Sequence, residues 1–170
     1  MKKLLVLTLV LVLGLSSFAF AADNEAEAVQ TGDFNEAHIT QDGSLLYSEV
    51  LQTGDENFAL IEQDGEGSEA IVVQSGDLNE AYVSQDADDS SARSIQLGEG
   101  NVLSVVQDGE DHSSGIVQSG EGNFALVEQS GDGESAAVGQ VGDANAAYVE
   151  QSGRNDEAEI QQRGTGNLAE

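Results

Sequence analysis

The chain contains no cysteine, no proline and no tryptophan, and its 170 residues include only 5 bases. Without cysteine there are no disulfides to staple the fold and no thiolate to serve as nucleophile or metal ligand. Without proline, nothing interrupts a continuous ladder of backbone hydrogen bonds. Five bases against 32 acids leave a formal charge of −27, which argues against a nucleic-acid surface and against docking to anionic lipid. Long apolar runs are also missing, apart from Leu4 to Leu15. That run is too short to span a bilayer. It follows Lys2 and Lys3 and precedes the small-x-small site Ala19-Phe20-Ala21, the layout of a secretory signal peptide over residues 1–21. Cleavage after Ala21 would start the mature chain at Ala22, exported from a bacterial cytoplasm. Both lysines leave with the signal, so the remaining bases are Arg93, Arg154 and Arg163 and the mature charge is 3 − 32 = −29.

What the chain does have is a repeat. Gln30, Gln52, Gln74, Gln96, Gln118, Gln140 and Gln162 recur every 22 residues without a slip. Asn35, Asn57, Asn79, Asn101, Asn123, Asn145 and Asn167 keep the same period, as does the glycine two places after each leading Gln. A second Gln lies 11 residues after the first, at Gln41, Gln63, Gln85, Gln107, Gln129 and Gln151. Each unit is therefore two related halves, and the skeleton reads Gln-x-Gly-x-x-Asn-x-Ala-x-x-x-Gln. A fixed period of this length marks a solenoid or array. The units begin at residues 30, 52, 74, 96, 118, 140 and 162, within one repeat domain spanning 22–170.

Alternation inside each half predicts strands. Ala37-x-Ile39-x-Gln41 is matched by Ala59-x-Ile61-x-Gln63 and Ala125-x-Val127-x-Gln129, and the second halves centre on Val50, Val72, Ser94, Ile116, Val138 and Ile160. Period two with β-branched residues favours strand, and each stretch is too short for a helix. Gly-Asp, Asp-Gly and Ser-Gly clusters between them supply the positive φ of tight turns. The fold class expected is all-β: a β-solenoid of six to seven strand-turn-strand coils, becoming cross-β amyloid when assembled. Two sheets should face each other across a thin core of Ala, Val and Ile. The Gln and Asn columns, stacked at the coil repeat, are expected to bond to one another as self-assembly ladders, since a buried amide is costly unless satisfied. A block of 66 residues is also duplicated, Asn57-Phe58-Ala59-Leu60 returning as Asn123-Phe124-Ala125-Leu126. Phe58, Tyr82, Phe124 and Tyr148 then lie on or near an outer surface, either for lateral contacts or as ordinary strand formers.

The skeleton resembles the curlin repeat of curli, the functional amyloid fibres of bacterial biofilms, from Asn24 to Glu170. The resemblance implies a secreted structural subunit that polymerises end to end into extracellular fibres at the bacterial surface, for adhesion and matrix building. It makes the repeat Gln and Asn the fibre-forming residues. The partners implied are further copies of the chain, other curlin-type subunits, and an outer-membrane secretion channel with its accessory proteins. No nucleic acid or membrane insertion is expected, and no cofactor. Major and minor subunits are not separated by the pattern. Where the major subunit carries a Gly/Asn-rich segment addressing the channel, only Ala22 and Asp23 stand before the first Asn-x-Ala match. The free chain, thin-cored and highly charged, is expected to be largely disordered.

No catalytic constellation accompanies this pattern. Asp88-Asp89 and Glu110-Asp111 sit at turns as solvated charge, and His38 and His112 fall at different phases of the repeat, unable to share a metal. The alternative is a monomeric calcium-binding or ice-binding solenoid. Asp33, Asp55, Asp77, Glu99, Glu121 and Asp143 do form an acidic column, but the nine-residue calcium motif is absent. Threonine is too sparse for an ice-binding array. The acidic column should instead oppose stacking, because unit charges about 4.8 Å apart repel by roughly 1 kcal/mol even in bulk water.

Overall fold

A computed structural model describes residues 23–170; the signal peptide expected over residues 1–21 and its cleavage site lie outside the described residues. Fourteen strands follow one another with no helix between them. One sheet contains β1 (Glu25–Thr31), β3 (Tyr47–Thr53), β5 (Glu69–Ser75), β7 (Ser91–Glu99), β9 (Ser113–Glu121), β11 (Ser135–Asp143) and β13 (Glu157–Thr165), stacked in that order. The other contains β2 (Glu36–Ser44), β4 (Phe58–Glu66), β6 (Glu80–Asp88), β8 (Val102–Glu110), β10 (Phe124–Asp132), β12 (Ala146–Arg154) and β14 (Leu168–Ala169). We call them the odd and the even sheet. Every neighbouring pair is parallel, and the partners are 22 residues apart, as in Gln52 with Gln74 and Ala59 with Ala81. The chain is a β-solenoid of about seven turns, as the period predicts, each turn contributing one strand to each sheet.

The alternation in sequence becomes two faces. Ala59, Ile61 and Gln63 of β4 are buried while Glu62 and Asp64 are exposed, and the same pattern runs through β6, β8, β10 and β12. The sheets meet through one Ala row and one Val or Ile row each, from Val50 and Ala59 to Ala147 and Val149. Such a core is one side chain deep on either side, so no turn is stable alone and each depends on its neighbours. Two residues depart from the Val/Ile row, Ala28 at its N-terminal end and Ser94, which is fully buried with a hydroxyl that has no hydrogen-bond partner.

The turns are more uniform in shape than in sequence. The fourth residue after each Gln is left-handed whatever its identity: Gly100 and Gly122 at φ 63°, but also Leu78 at 58°, Glu56 at 57° and Phe34 at 60°. Glycine clusters thus mark the turns without being required at every left-handed site. Tertiary stacking holds non-glycine residues there at a cost of about 1–2 kcal/mol each. The glycine two places after Gln is under a harder constraint. Gly98 has φ 116°, and a Cβ on it would overlap the carbonyl oxygen of Gly120 in the next turn.

These positions separate experimentally. Leu78→Gly should stabilise the β-structured state by up to ~1 kcal/mol by removing left-handed strain. Gly98→Ala should destabilise it by ~2 kcal/mol or more through strain and backbone overlap. Ser94→Val should add ~1 kcal/mol by replacing a buried, unpaired hydroxyl with apolar volume. The guanidinium midpoint followed by far-UV circular dichroism measures all three, and a stable Gly98→Ala chain would contradict this account of the turn.

Candidate functional site: the amide ladders

The leading glutamines of the odd sheet point inward and lie directly above one another. Gln30 Nε2 donates to Gln52 Oε1 (2.6 Å), Gln52 to Gln74 (2.8 Å), Gln74 to Gln96 (2.8 Å) and Gln96 to Gln118 (3.0 Å). Gln118 continues to Gln140 (2.9 Å) and Gln140 to Gln162 (2.8 Å). The even sheet carries a second ladder, Gln41 to Gln63, Gln85, Gln107, Gln129 and Gln151, at 2.8–3.0 Å per step. In both, the amide hydrogens point toward the C-terminal turn.

Each ladder glutamine from Gln41 on has a second role that alternation alone does not show. Its Nε2 also donates across the core to a backbone carbonyl at the start of the facing strand, Gln96 to Glu80 O (2.9 Å) and Gln107 to Ser91 O (3.1 Å). Gln96 reaches Asn101 O (2.9 Å) as well. One side chain therefore bonds to the next turn and ties one sheet to the other. Gln52 through Gln162 are buried, while Gln30 and Gln41, in the outermost N-terminal turn, are half-buried.

The asparagines form a third column at the turn that leads into the even sheet. Their polarity is reversed: Asn79 Nδ2 donates back to Asn57 Oδ1 (3.0 Å), which also accepts the Asn79 backbone N–H (3.1 Å). The other Nδ2 hydrogen goes forward to Gly98 O (2.9 Å). The column runs from Asn35 to Asn167, buried at Asn57, Asn79, Asn101, Asn123 and Asn145, half-buried at Asn35 and exposed at Asn167. Every ladder residue expected from the sequence thus falls in one of three continuous columns.

The opposite turn contains a column the repeat skeleton hides. At the same phase as the Asn residues, but in the other half of each unit, stand Leu46, Ser68, Ser90, His112, Glu134 and Asp156. Aligning the halves at 11 residues would have revealed them. Ser68 Oγ donates to Ala87 O (2.7 Å) and accepts from Ser90 N–H (3.1 Å), and Ser90 Oγ accepts from His112 N–H (3.0 Å). His112 and Glu134 are both fully buried, with Nδ1 3.0 Å from Oε2 and Nε2 3.0 Å from Asp108 O. The pair breaks the uniformity of the column: no aligned hydrogen bond reaches either carboxylate oxygen of Glu134. His38, by contrast, is exposed beside Glu36, so the two histidines are far apart.

The acidic column is better integrated than a row of solvated charges. Asp55 Oδ1 accepts the Asp33 N–H (2.8 Å), Asp77 Oδ1 that of Asp55 (2.9 Å), and Asp143 Oδ1 that of Glu121 (3.2 Å). Stacked turns thus share backbone donors with the carboxylates that would otherwise only repel. Asp88-Asp89 and Glu110-Asp111 lie at exposed turns. Among the described residues no group of three His, Cys, Asp or Glu side chains is placed to hold a metal, and no helix is long and apolar enough to cross a membrane.

A central ladder residue should matter far more than a terminal one. Gln96→Leu leaves Gln118 Oε1 without its ladder donor, the Glu80 carbonyl without its Gln96 bond and the Gln74 amide without its ladder acceptor. It should cost ~3 kcal/mol or more at 1–3 kcal/mol per orphaned group, while Gln30→Leu should cost about 1 kcal/mol. Equal guanidinium midpoints for the two variants would show that the ladder is not what holds the turns together.

The model of the curlin associated repeat matches residues 21–50, 49–75, 65–98, 98–131, 115–142 and 131–164. No curated protein matches the chain. That family and this fold are structural rather than enzymatic. Together the six matches cover residues 21–164, most of the chain, and on them the chain belongs to the curlin repeat family.

Proposed function

We propose that the chain is an exported structural subunit that stacks end to end into extracellular, curli-like amyloid fibres at the bacterial surface, for adhesion and biofilm matrix. Its partners are further copies of itself, other curlin-type subunits, and a secretion channel of the outer membrane. Residues 1–21 act as its cleaved signal peptide. Gln30, Gln41, Gln52 and their counterparts through Gln162, with Asn35 through Asn167, are the self-assembly residues.

The observation that carries this reading is the polarity of the ladders. Among the described residues, Gln30 Oε1 and Gln41 Oε1 receive no donor, and Gln151 and Gln162 have no ladder acceptor. A second copy placed in register presents the missing acceptor to Gln162 and continues the column. Its β1 extends β13 in the odd sheet, and its β2 follows β14 in the even sheet. Head-to-tail contacts of this kind do not close, so they generate a filament. Unpaired strand edges supply the backbone part of the same contact.

Charge sets the rate. Each added subunit brings a formal −29 to the growing end, a repulsion that salt screens over a Debye length of about 10 Å at 0.1 M. Purified residues 22–170 should show a lag, followed by thioflavin-T binding, β-structure by circular dichroism and filaments by microscopy. The lag should shorten as sodium chloride is raised. A chain that stays monomeric, or gains β-structure only with calcium, would refute the fibre reading.

A further inference from the structure

The outer faces of the two sheets differ sharply in charge. On the even sheet, outward positions carry Glu62, Asp64, Glu80, Asp86, Asp108 and Glu128, with no base on β4 through β12 before the turn residue Arg154. On the odd sheet, β5 to β11 present only two charges along the body of the strands, Glu69 and Arg93. These oppose each other, with Arg93 Nη2 3.8 Å from Glu69 Oε1. β1, β3 and β13 of the same sheet carry Glu25, Glu27, Glu49, Glu157 and Glu159, so in a chain of net charge −27 the neutral flank is confined to β5–β11. That flank is also apolar: Leu97, Val117 and Val141 are 42%, 43% and 51% exposed.

The neutral flank is divided into a ridge and a groove. β5 and β7 project Ile71, Val73, Arg93 and Ile95, while β9 and β11 offer Gly115, Ala137 and Gly139 in the same rows. The groove, about 360 Å³, is bounded by Val117, Val141, Glu159 and Arg163. A two-fold axis parallel to the strands, midway between β7 and β9, lays each β5 on a partner's β11 and each β7 on a partner's β9. Large residues then meet small ones: Ile71 over Ala137, Val73 over Gly139, Arg93 over Gly115 and Leu97 over Ser119. Only Ile95 and Val117 meet as two large side chains.

We infer that this odd-sheet flank is a lateral interface for the same flank of a second copy, packed with its solenoid axis antiparallel. Four strands at about 4.8 Å spacing give roughly 20 by 20 Å, about 400 Å² per copy. The pair buries about 800 Å², below the roughly 1,000 Å² that a stable pair needs. Single copies in dilute solution therefore stay apart, whereas stacked copies add the area once per subunit. In that respect the inference rests on the end-to-end assembly proposed above. The even flank, which is acidic, stays in water.

Cross-linking tests the arrangement. The described chain has no cysteine, so Val73→Cys and Gly139→Cys each introduce one thiol. Gly139 has room for a side chain, its nearest neighbour being Gln161 Cγ at 3.9 Å. Equal amounts of the two variants are co-assembled and treated with a short bis-maleimide, which cannot bridge the four turns, about 19 Å, that separate the sites of successive copies along one stack. The mixed Val73–Gly139 cross-link should dominate over both same-site products, and Leu60→Cys on the acidic flank should give none with either. Filaments with mostly same-site or Leu60 cross-links, or without cross-links, would overturn the pairing and leave the fibre reading standing. The mixed cross-link in concentrated solution without filaments would uphold the pairing and sink the fibre reading. Neither filaments nor cross-link would sink both. As a second readout, Val73→Asp with Val117→Asp should yield filaments of half the width at unchanged β-content; paired filaments from this variant would also overturn the proposal.

Discussion

A primary amide buried between two sheets is tolerable only if its two hydrogens and its oxygen are all satisfied. In this chain that requirement is met by repetition. Gln96 accepts from Gln74, donates to Gln118 and reaches across the core to Glu80 O. None of these bonds exists without the turns before and after. The ladders therefore make each turn conditional on its neighbours, which is also what the thin Ala and Val/Ile core demands.

The same logic orders the charges. Asp55 and Asp77 are brought close to the turn above or below, yet their Oδ1 atoms accept backbone N–H groups of the neighbouring turn. Repulsion along the column is thereby offset by bonds that only stacking can form. Acids are otherwise concentrated at the turns, on the even flank and on the odd sheet's outer strands β1, β3 and β13, and the odd flank from β5 to β11 is left near neutral. In the proposed assembly, charge and backbone geometry together separate the directions of association: end-to-end through ladders and strand edges, sideways through one flank.

The column of Leu46, Ser68, Ser90, His112, Glu134 and Asp156 shows where uniformity gives way. The Asn column opposite is invariant because each Asn must match the next. Here each residue pairs with a different neighbour, and the buried His112–Glu134 contact takes the place of an amide rung. The symmetry of the solenoid is therefore carried by three columns rather than four.

Much of this was legible in the sequence. The 22-residue period, the inward Ala, Val/Ile and Gln, and the all-β solenoid follow from spacing and alternation, because parallel in-register stacking turns sequence period directly into spatial columns. The Gln and Asn rungs were legible for the same reason. Other features required the tertiary structure. The Gln bonds across the core depend on which carbonyl of the facing strand lies opposite, and the Asp bonds depend on the rise between turns. That Leu78 and Phe34 accept a left-handed backbone follows from stacking, against their own preference. Ridge and groove on the odd flank emerge only when residues of similar class but different size, Val73 and Gly139, are set in one row. Sequence alone determined the period, the strand faces and the inventory of columns. Tertiary structure decided how the columns bond and how the turns share their carboxylates, since both depend on distances between turns that local propensity does not encode.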